Sequence, residues 1–410
     1  MKQIAFAGAV MAVLAAFADG VITVDQVSMR QERGTQKVHV TYNLANEGDA
    51  AAYVVLDIQT NGVSIGRANI QTLSGDVSDY DFSQTVAVGT GKEIVWDARK
   101  DWKGNLSSNA TAVVTAYYAD HLWQVPEVYM KIDLSGGTSA VSYPVSYTLS
   151  APNLSDSTVS FAKDTLWLKR CEPGVFAMGS PSTETGHNAS GAETLHQVTL
   201  TKPFFIGVFE LTQYQYKQVT GTTLNPGAGQ GDTFPCGGLS VNLIRGSGLP
   251  DAAPASGSFL ATLRAKLPFG IDIPTEAQWE YACRAGTTTG FYNGTNPSTR
   301  SGTDANLDPL AWYTKNVTVN KFRQVGTKLP NNWGLYDMLG NSFEVVRDRF
   351  ADNNTSYTLD PLVTSGEKGI LRGGSLDTNV DWNRSAWRLG WELGSTHRAI
   401  GLRVSWTVGE

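Results

Sequence analysis

Complete helix-start grammar is scarce in this 410-residue chain, and the scarcity limits the folds open to it. It occurs twice. LTQYQYKQVTG offers Thr212 as N-cap with Gln215 three residues on, a capping box. Leu211 and Tyr216 are placed as its hydrophobic staple, and Gly221 as its stop. IPTEAQWEYACRAG repeats the pattern with Thr275, Gln278 and Gly286, and sets Trp279 and Cys283 on one face. The chain carries 42 glycines, above the usual share of about 7%. Such a chain is built from strands and turns. Its length exceeds one compact core, so two domains are expected.

In the first part, Val38, Val40, Tyr42 and Leu44 alternate with polar residues, as in a half-buried strand. AAYVVLDIQTNGVSIG sets Asn61-Gly62 between two apolar runs, a strong hairpin signal. EIVWDARKDW and ATAVVTAYYA add strands, the second with Val113, Thr115 and Tyr117 on one face. Strands at roughly ten-residue spacing predict a β-sandwich over residues 19–120, similar to immunoglobulin- or fibronectin-III-like modules. Residues 121–164, with YMKIDLSGG and VSYPVSYTL, form either a linker or edge strands of the next domain, 165–410. The fold class is α+β.

The N-terminus joins Lys2 to an apolar stretch from Ile4 to Phe17 and an Ala16-Phe17-Ala18 end. That order predicts a secretory signal peptide over residues 1–18 and a secreted, periplasmic or cell-surface protein. No later stretch reaches the ~20 apolar residues of a membrane span. The net charge of −6, without a basic run, argues against nucleic acid as a partner. Cys171, Cys236 and Cys283 are odd in number and lack metal-ligand spacing. They read as buried fillers, with one possible disulfide among them.

GLYDMLGNSFE, residues 334–344, brings Asp337 and Glu344 close together in an apolar setting. Like charges there need a metal ion, an arginine or solvent to hold them. Spacing alone favours a turn whose carboxylates accept backbone N–H bonds or pair with Arg347 over a metal.

Four segments in order resemble the formylglycine-generating enzyme, or sulfatase-modifying factor, family: CEPGVFAMGS with HQVTLTKPFFIGVFELTQYQY, then IDIPTEAQWEYACRAG, then LAWYTKNVTVNKFRQVGTKLPNNWGLYDMLGNSFEVVRDRF, then ILRGGSLDTNVDWNRSAWRLG with GLRVSW. The match covers about residues 165–406. It implies an irregular C-type-lectin-like domain and a structural calcium at Asp337, Gly340, Ser342 and Glu344, the side chains and backbone carbonyls supplying oxygen. The family's oxidase binds copper(I) through two cysteines five residues apart. Aligned on NRSAWR, those positions are Val380 and Ser385, neither of which forms the soft thiolate that copper(I) requires. Copper is therefore not expected. Iron-dependent relatives use histidines at a spacing that His39, His121, His187, His196 and His397 do not show.

Two functions follow from the resemblance. One is a calcium-stabilised binding or scaffolding module. DTNVDWNRSAWRLGWELGSTHR would display Trp382, Arg384, Trp387, Arg388 and Trp391 as a recognition surface for a protein, peptide or glycan. The competing function is an oxidoreductase acting on an exported protein or small molecule through a rearranged site.

Overall fold

The computed structural model describes residues 13–17, 20–105, 107, 109–188, 192–248, 250–317, 321–351, 355 and 358–410. It divides into two units, Met1–Val128 with Tyr147–Ser150, and Tyr129–Ser146 with Ala151–Glu410.

The first unit holds β1 (Val13–Phe17), β2 (Gly20–Gln31), β3 (Lys37–Asn46), β4 (Tyr53–Thr60) and β5 (Val63–Ser64). These are followed by β6 (Leu73–Gly75), β7 (Gly89–Asp97), α1 (Ala98–Asp101) and β8 (Ala110–Tyr117). They form two sheets, ordered β1-β2-β3-β7-β6 and β5-β4-β8. Strand β3 buries Val38, Val40, Tyr42 and Leu44, as the alternation requires. On β8 it is Ala110, Ala112, Val114 and Ala116 that enter the core, beside Val54, Leu56 and Ile58 of β4. Val113 and Thr115 sit half-buried on the other face. Asn61 and Gly62 take φ of +54° and +77°, the left-handed pair of a tight hairpin turn between β4 and β5. The expected signal peptide lies largely outside the described residues. Its portion Val13–Phe17 is strand β1, antiparallel to β2.

The chain continues through β9 (Tyr129–Asp133), β10 (Val145–Thr148), β11 (Thr165–Cys171), β12 (Gly174–Met178), β13 (His196–Leu200) and β14 (Phe204–Gly207). Four helices come next: α2 (Gln213–Thr220), α3 (Val241–Ile244), α4 (Phe259–Arg264) and α5 (Glu276–Arg284). The last strands are β15 (Phe343–Arg349), β16 (Lys368–Arg372), β17 (Arg388–Glu392), β18 (Ile400–Gly401) and β19 (Ser405–Thr407). In the second unit, β9, β11, β14 and β19 are consecutive neighbours in one sheet, β12 pairs with β13, and β17-β16-β15-β18 make a third sheet. Residues 129–133 thus add a strand to the second unit through pairing with β11.

Both predicted capping boxes are present, at Thr212 with Gln215 and at Thr275 with Gln278. Gly221 ends α2 at φ +74°. Helix α5 turns left-handed one residue before the expected glycine, at Ala285 with φ +43°. Helices α3 and α4 escape the sequence because they span four and six residues and are capped only by Ser240 and Ser258.

The second unit's core joins Trp279 and Cys283 of α5 to Val198, Ile206, Tyr292, Leu310, Leu335, Met338 and Ile370. Large, irregular segments between α5 and β15 thus pack inward without regular structure. All three cysteines are free and buried, which corrects the possible disulfide.

Candidate functional site

The carboxylates of the 334–344 turn are buried, and an arginine holds one of them. Glu344 opens β15. Its Oε1 accepts from Arg403 Nη2 at 2.8 Å and from Nε at 3.1 Å. Its Oε2 accepts from Trp279 Nε1 at 2.7 Å and from Arg403 Nε at 3.1 Å. Arg403 also donates to the carbonyls of Gly207 and Tyr336, each at 2.7 Å. The suggested partner Arg347 is elsewhere, on Glu410 at 3.0 Å and the Pro250 carbonyl at 2.6 Å.

Asp337 takes a left-handed φ of +54°. Its Oδ2 accepts from the Gly326 N–H at 2.6 Å, whereas Oδ1 is buried with no hydrogen-bond partner. A third carboxylate, Glu210, joins this group. It accepts from Asn341 Nδ2 at 2.7 Å and the Ser342 N–H at 2.8 Å. Burial pushes Glu210 well above the carboxylate range, and the charges of Asp337 and Glu344 add to the effect. Burial likewise pushes Asp337 up to about 6.

Calcium takes six to eight oxygens. Here both oxygens of Glu344 are committed to Arg403 and Trp279, and the arginine's own charge opposes a second cation beside it. Gly340 has φ +79°, and a Cβ on it would lie 2.5 Å from the Trp312 carbonyl oxygen, so close packing alone accounts for the glycine. Ser342 Oγ donates to the Ala399 carbonyl at 3.0 Å. Among the described residues no three of His, Cys, Asp and Glu converge as a metal-holding group. Of the four expected ligands, Glu344 is held by Arg403 and Trp279, whereas Asp337 keeps one buried carboxylate oxygen without a partner.

The positions aligned with the family's cysteines are both interior. Val380 belongs to the core cluster around Trp279. Ser385 is fully buried, its Oγ donating to the Gly290 carbonyl at 3.2 Å and accepting from Cys283 Sγ at 3.6 Å. Burial pushes the Cys283 thiol up to about 12 and moves Cys171 and Cys236 upward as well. A thiol so displaced stays protonated at neutral pH and is a poor nucleophile or soft ligand.

The expected recognition surface divides in two. Arg384 and Arg388 are buried and belong to the interior, a correction to their placement at the surface. Arg384 Nη1 donates to Glu184 at 2.7 Å and Glu193 at 2.9 Å. Its Nη2 donates to Glu193 at 2.9 Å and the Gly186 carbonyl at 2.7 Å, and its Nε to the Asp381 carbonyl at 2.8 Å. All five guanidinium hydrogens are thus used. Arg388 grips both oxygens of Glu276 at 2.7 Å. The composition of the segment promised display, but a guanidinium with two carboxylates at hand is better satisfied inside.

The tryptophans behave differently. Trp382 is 38% exposed and stacks on Trp387, ring centres 4.8 Å apart at 24°. Trp387 is nearly buried and stacks in turn on Phe343 at 5.8 Å, which meets His397 edge-on at 6.2 Å. Trp391 is half-buried against His397 at 5.9 Å, its Nε1 bonded to the Ser395 carbonyl at 3.0 Å. Trp382 is the open end of this column.

Beside it lies a cleft of about 370 Å³ between Gly186–Asn188 and the Asp381–Leu389 segment, with Arg300 at its rim. Sequence reasoning missed His187, Arg300 and Asp381, because no spacing marks residues brought together from three separate stretches. His187 Nδ1 lies 2.8 Å from Ser180 Oγ, which donates to Glu193 at 2.9 Å, so the ring is anchored from behind. Gly186 explains the close approach of the two walls: a Cβ there would meet Asp381 Cβ at 2.8 Å and Arg384 Nε at 2.9 Å.

Residues 155–408 match the sulfatase-modifying factor enzyme 1-like domain, so the chain belongs to that family. Among characterised relatives, the formylglycine-generating enzyme of Bos taurus is 31% identical over 112 residues, 26% of this chain and 30% of that protein. The chain thus spans under a third of the length of this relative. Among solved structures, PvdO from Pseudomonas aeruginosa is 24% identical, covering 59% of this chain and 95% of that one, with a TM-score of 0.49. Treponema denticola variable protein 1 has the same identity and coverages with a TM-score of 0.45. No helix among the described residues is long and apolar enough to cross a membrane.

Proposed function

We propose that this chain is an exported binding module of the sulfatase-modifying factor family that lacks the family's copper chemistry. The observation that carries this reading is that Val380 and Ser385 are buried and carry no sulfur, the one thiol beside them being the buried Cys283, bonded to Ser385 at 3.6 Å. Copper(I) bound by two thiolates needs sulfur at both positions, and neither residue supplies it. A fold alone does not confer a reaction. Recognition is assigned to the Trp382 cleft, with Trp387 as its inner support and Trp391 at the far end of the aromatic column. The first unit's two sheets serve, on this reading, as an immunoglobulin- or fibronectin-III-like carrier that follows a signal peptide at residues 1–18 and displays the module outside the cytoplasm. On this reading Glu344 of the 334–344 turn is held by Arg403, and the turn needs no calcium. Supplying the full chain with copper(I) and a cysteine-containing substrate peptide tests the catalytic half of the proposal. No formylglycine is expected; one copper per chain with sustained turnover would replace the module reading by the enzyme one.

A further inference from the structure

We infer that the Trp382 cleft takes a neutral saccharide. The inference rests on the module reading above and names its ligand class. One indole face of Trp382 is covered by Trp387, and its ring lines the cleft. A sugar ring presents a flat apolar C–H face that covers such an indole, and its hydroxyls need donors and acceptors around the edge. The cleft supplies both kinds. His187, Asn188, Arg300 and Asp381 line it.

Its charges are compensated, and this selects against ionic ligands. Arg388 contributes only its stem, because its guanidinium is taken by Glu276 and by the carbonyls of Ala192 at 3.2 Å and Ala351 at 2.9 Å. Arg300 lies 3.5 Å from Asp381, leaving a rim of one cation and one anion. At about 370 Å³ the cleft falls at the small end of the ~300–1,000 Å³ range of small-molecule sites, room for one or two sugar rings.

The walls are also held before any ligand arrives. Glu184 and Glu193 fasten to Arg384, two residues from Trp382, by buried ion pairs of 2.7 and 2.9 Å. A ligand entering a site already ordered loses less affinity to ordering.

The test is titration calorimetry of the full chain with neutral disaccharides of gluco, galacto, manno and N-acetylated configuration, alongside selection from a random peptide library. Trp382→Ala and Trp382→Phe are measured in parallel, with melting curves for each. At least one neutral disaccharide should bind. Trp382→Ala should weaken it tenfold or more at an unchanged melting temperature, and Trp382→Phe should restore part of the loss. If only peptides bind through Trp382, the saccharide inference fails and the module reading stands. Binding restricted to anionic sugars and abolished by salt would also overturn the inference. If neither class binds in a Trp382-dependent way, both fall.

Discussion

Two stretches of the second unit, residues 334–344 and 377–398, carry the same kinds of residue and end in different places. Each sets charged groups among apolar ones at a spacing that reads as functional. In the first, the charges turn inward: Glu344 closes on Arg403, with Asp337 and Glu210 buried beside it. In the second, Arg384 and Arg388 also turn inward, yet Trp382 two residues away keeps more than a third of its surface in solvent. The difference lies in what the neighbouring elements offer. An arginine that meets carboxylates from other segments is drawn into the core, whereas an indole at the end of a full aromatic stack has no further partner. Arginine organises both regions, and only the second leaves anything open.

The comparison can be broken most forcefully at Arg403. Arg403→Leu strands Glu344 and removes the positive charge that also favours ionised Glu210, so chemical denaturation should show a loss of about 3–5 kcal/mol. Arg384→Met should cost about as much by stranding Glu193, and would also abolish any binding at the cleft. A loss under ~1 kcal/mol for Arg403→Leu would mean that something else balances these carboxylates.

A smaller effect sharpens the account at Asp337. Its folded pKa of about 6 lies above the unfolded value, so the folded state binds more protons between the two. Stability contributed by that proton is present below about pH 4 and is lost as pH rises toward 6. Asp337→Asn keeps an oxygen for the Gly326 N–H and removes the titration. It should gain on the order of 1–3 kcal/mol at pH 7 and flatten the acid side of the stability profile. A calcium-binding Asp337 would give the opposite sign. Asp348, which burial pushes up to about 7, should produce the same slope from pH 4 to 7 in both proteins and serves as an internal reference.

The smallest effect on stability belongs to the exposed side. Trp382→Ala should change the unfolding free energy by no more than ~0.5–1 kcal/mol, because the ring is partly solvated and closes no polar bond in the described structure. Its consequence should lie in binding alone. A large loss of stability would make Trp382 part of the core and remove the contrast between the two regions.

Much of the frame was legible in the sequence. The capping boxes at Thr212 and Thr275, the alternation of β3 and the Asn61-Gly62 turn are local codes, set by residues within four positions of each other. The left-handed Ala285 was not legible, since alanine carries no turn preference and surrounding structure imposes the conformation. The partners of the charged residues were the least legible. Glu344 finds Arg403 across 59 residues and Arg384 finds Glu184 across 200, so no spacing on either segment could have named the partner. For the same reason the cleft's three stretches, around His187, Arg300 and Asp381, became visible only together.

The central claim, which rests on the proposed function, is that Arg403 holds Glu344 and that the 334–344 turn needs no metal. The most direct measurement is thermal melting of the full chain in excess calcium and in excess chelator, compared with Asp337→Asn under the same conditions. The account predicts one melting temperature for the parent in both buffers, and a higher one for the variant at neutral pH. A parent that melts lower in chelator, with a calcium dependence that Asp337→Asn abolishes, would contradict it.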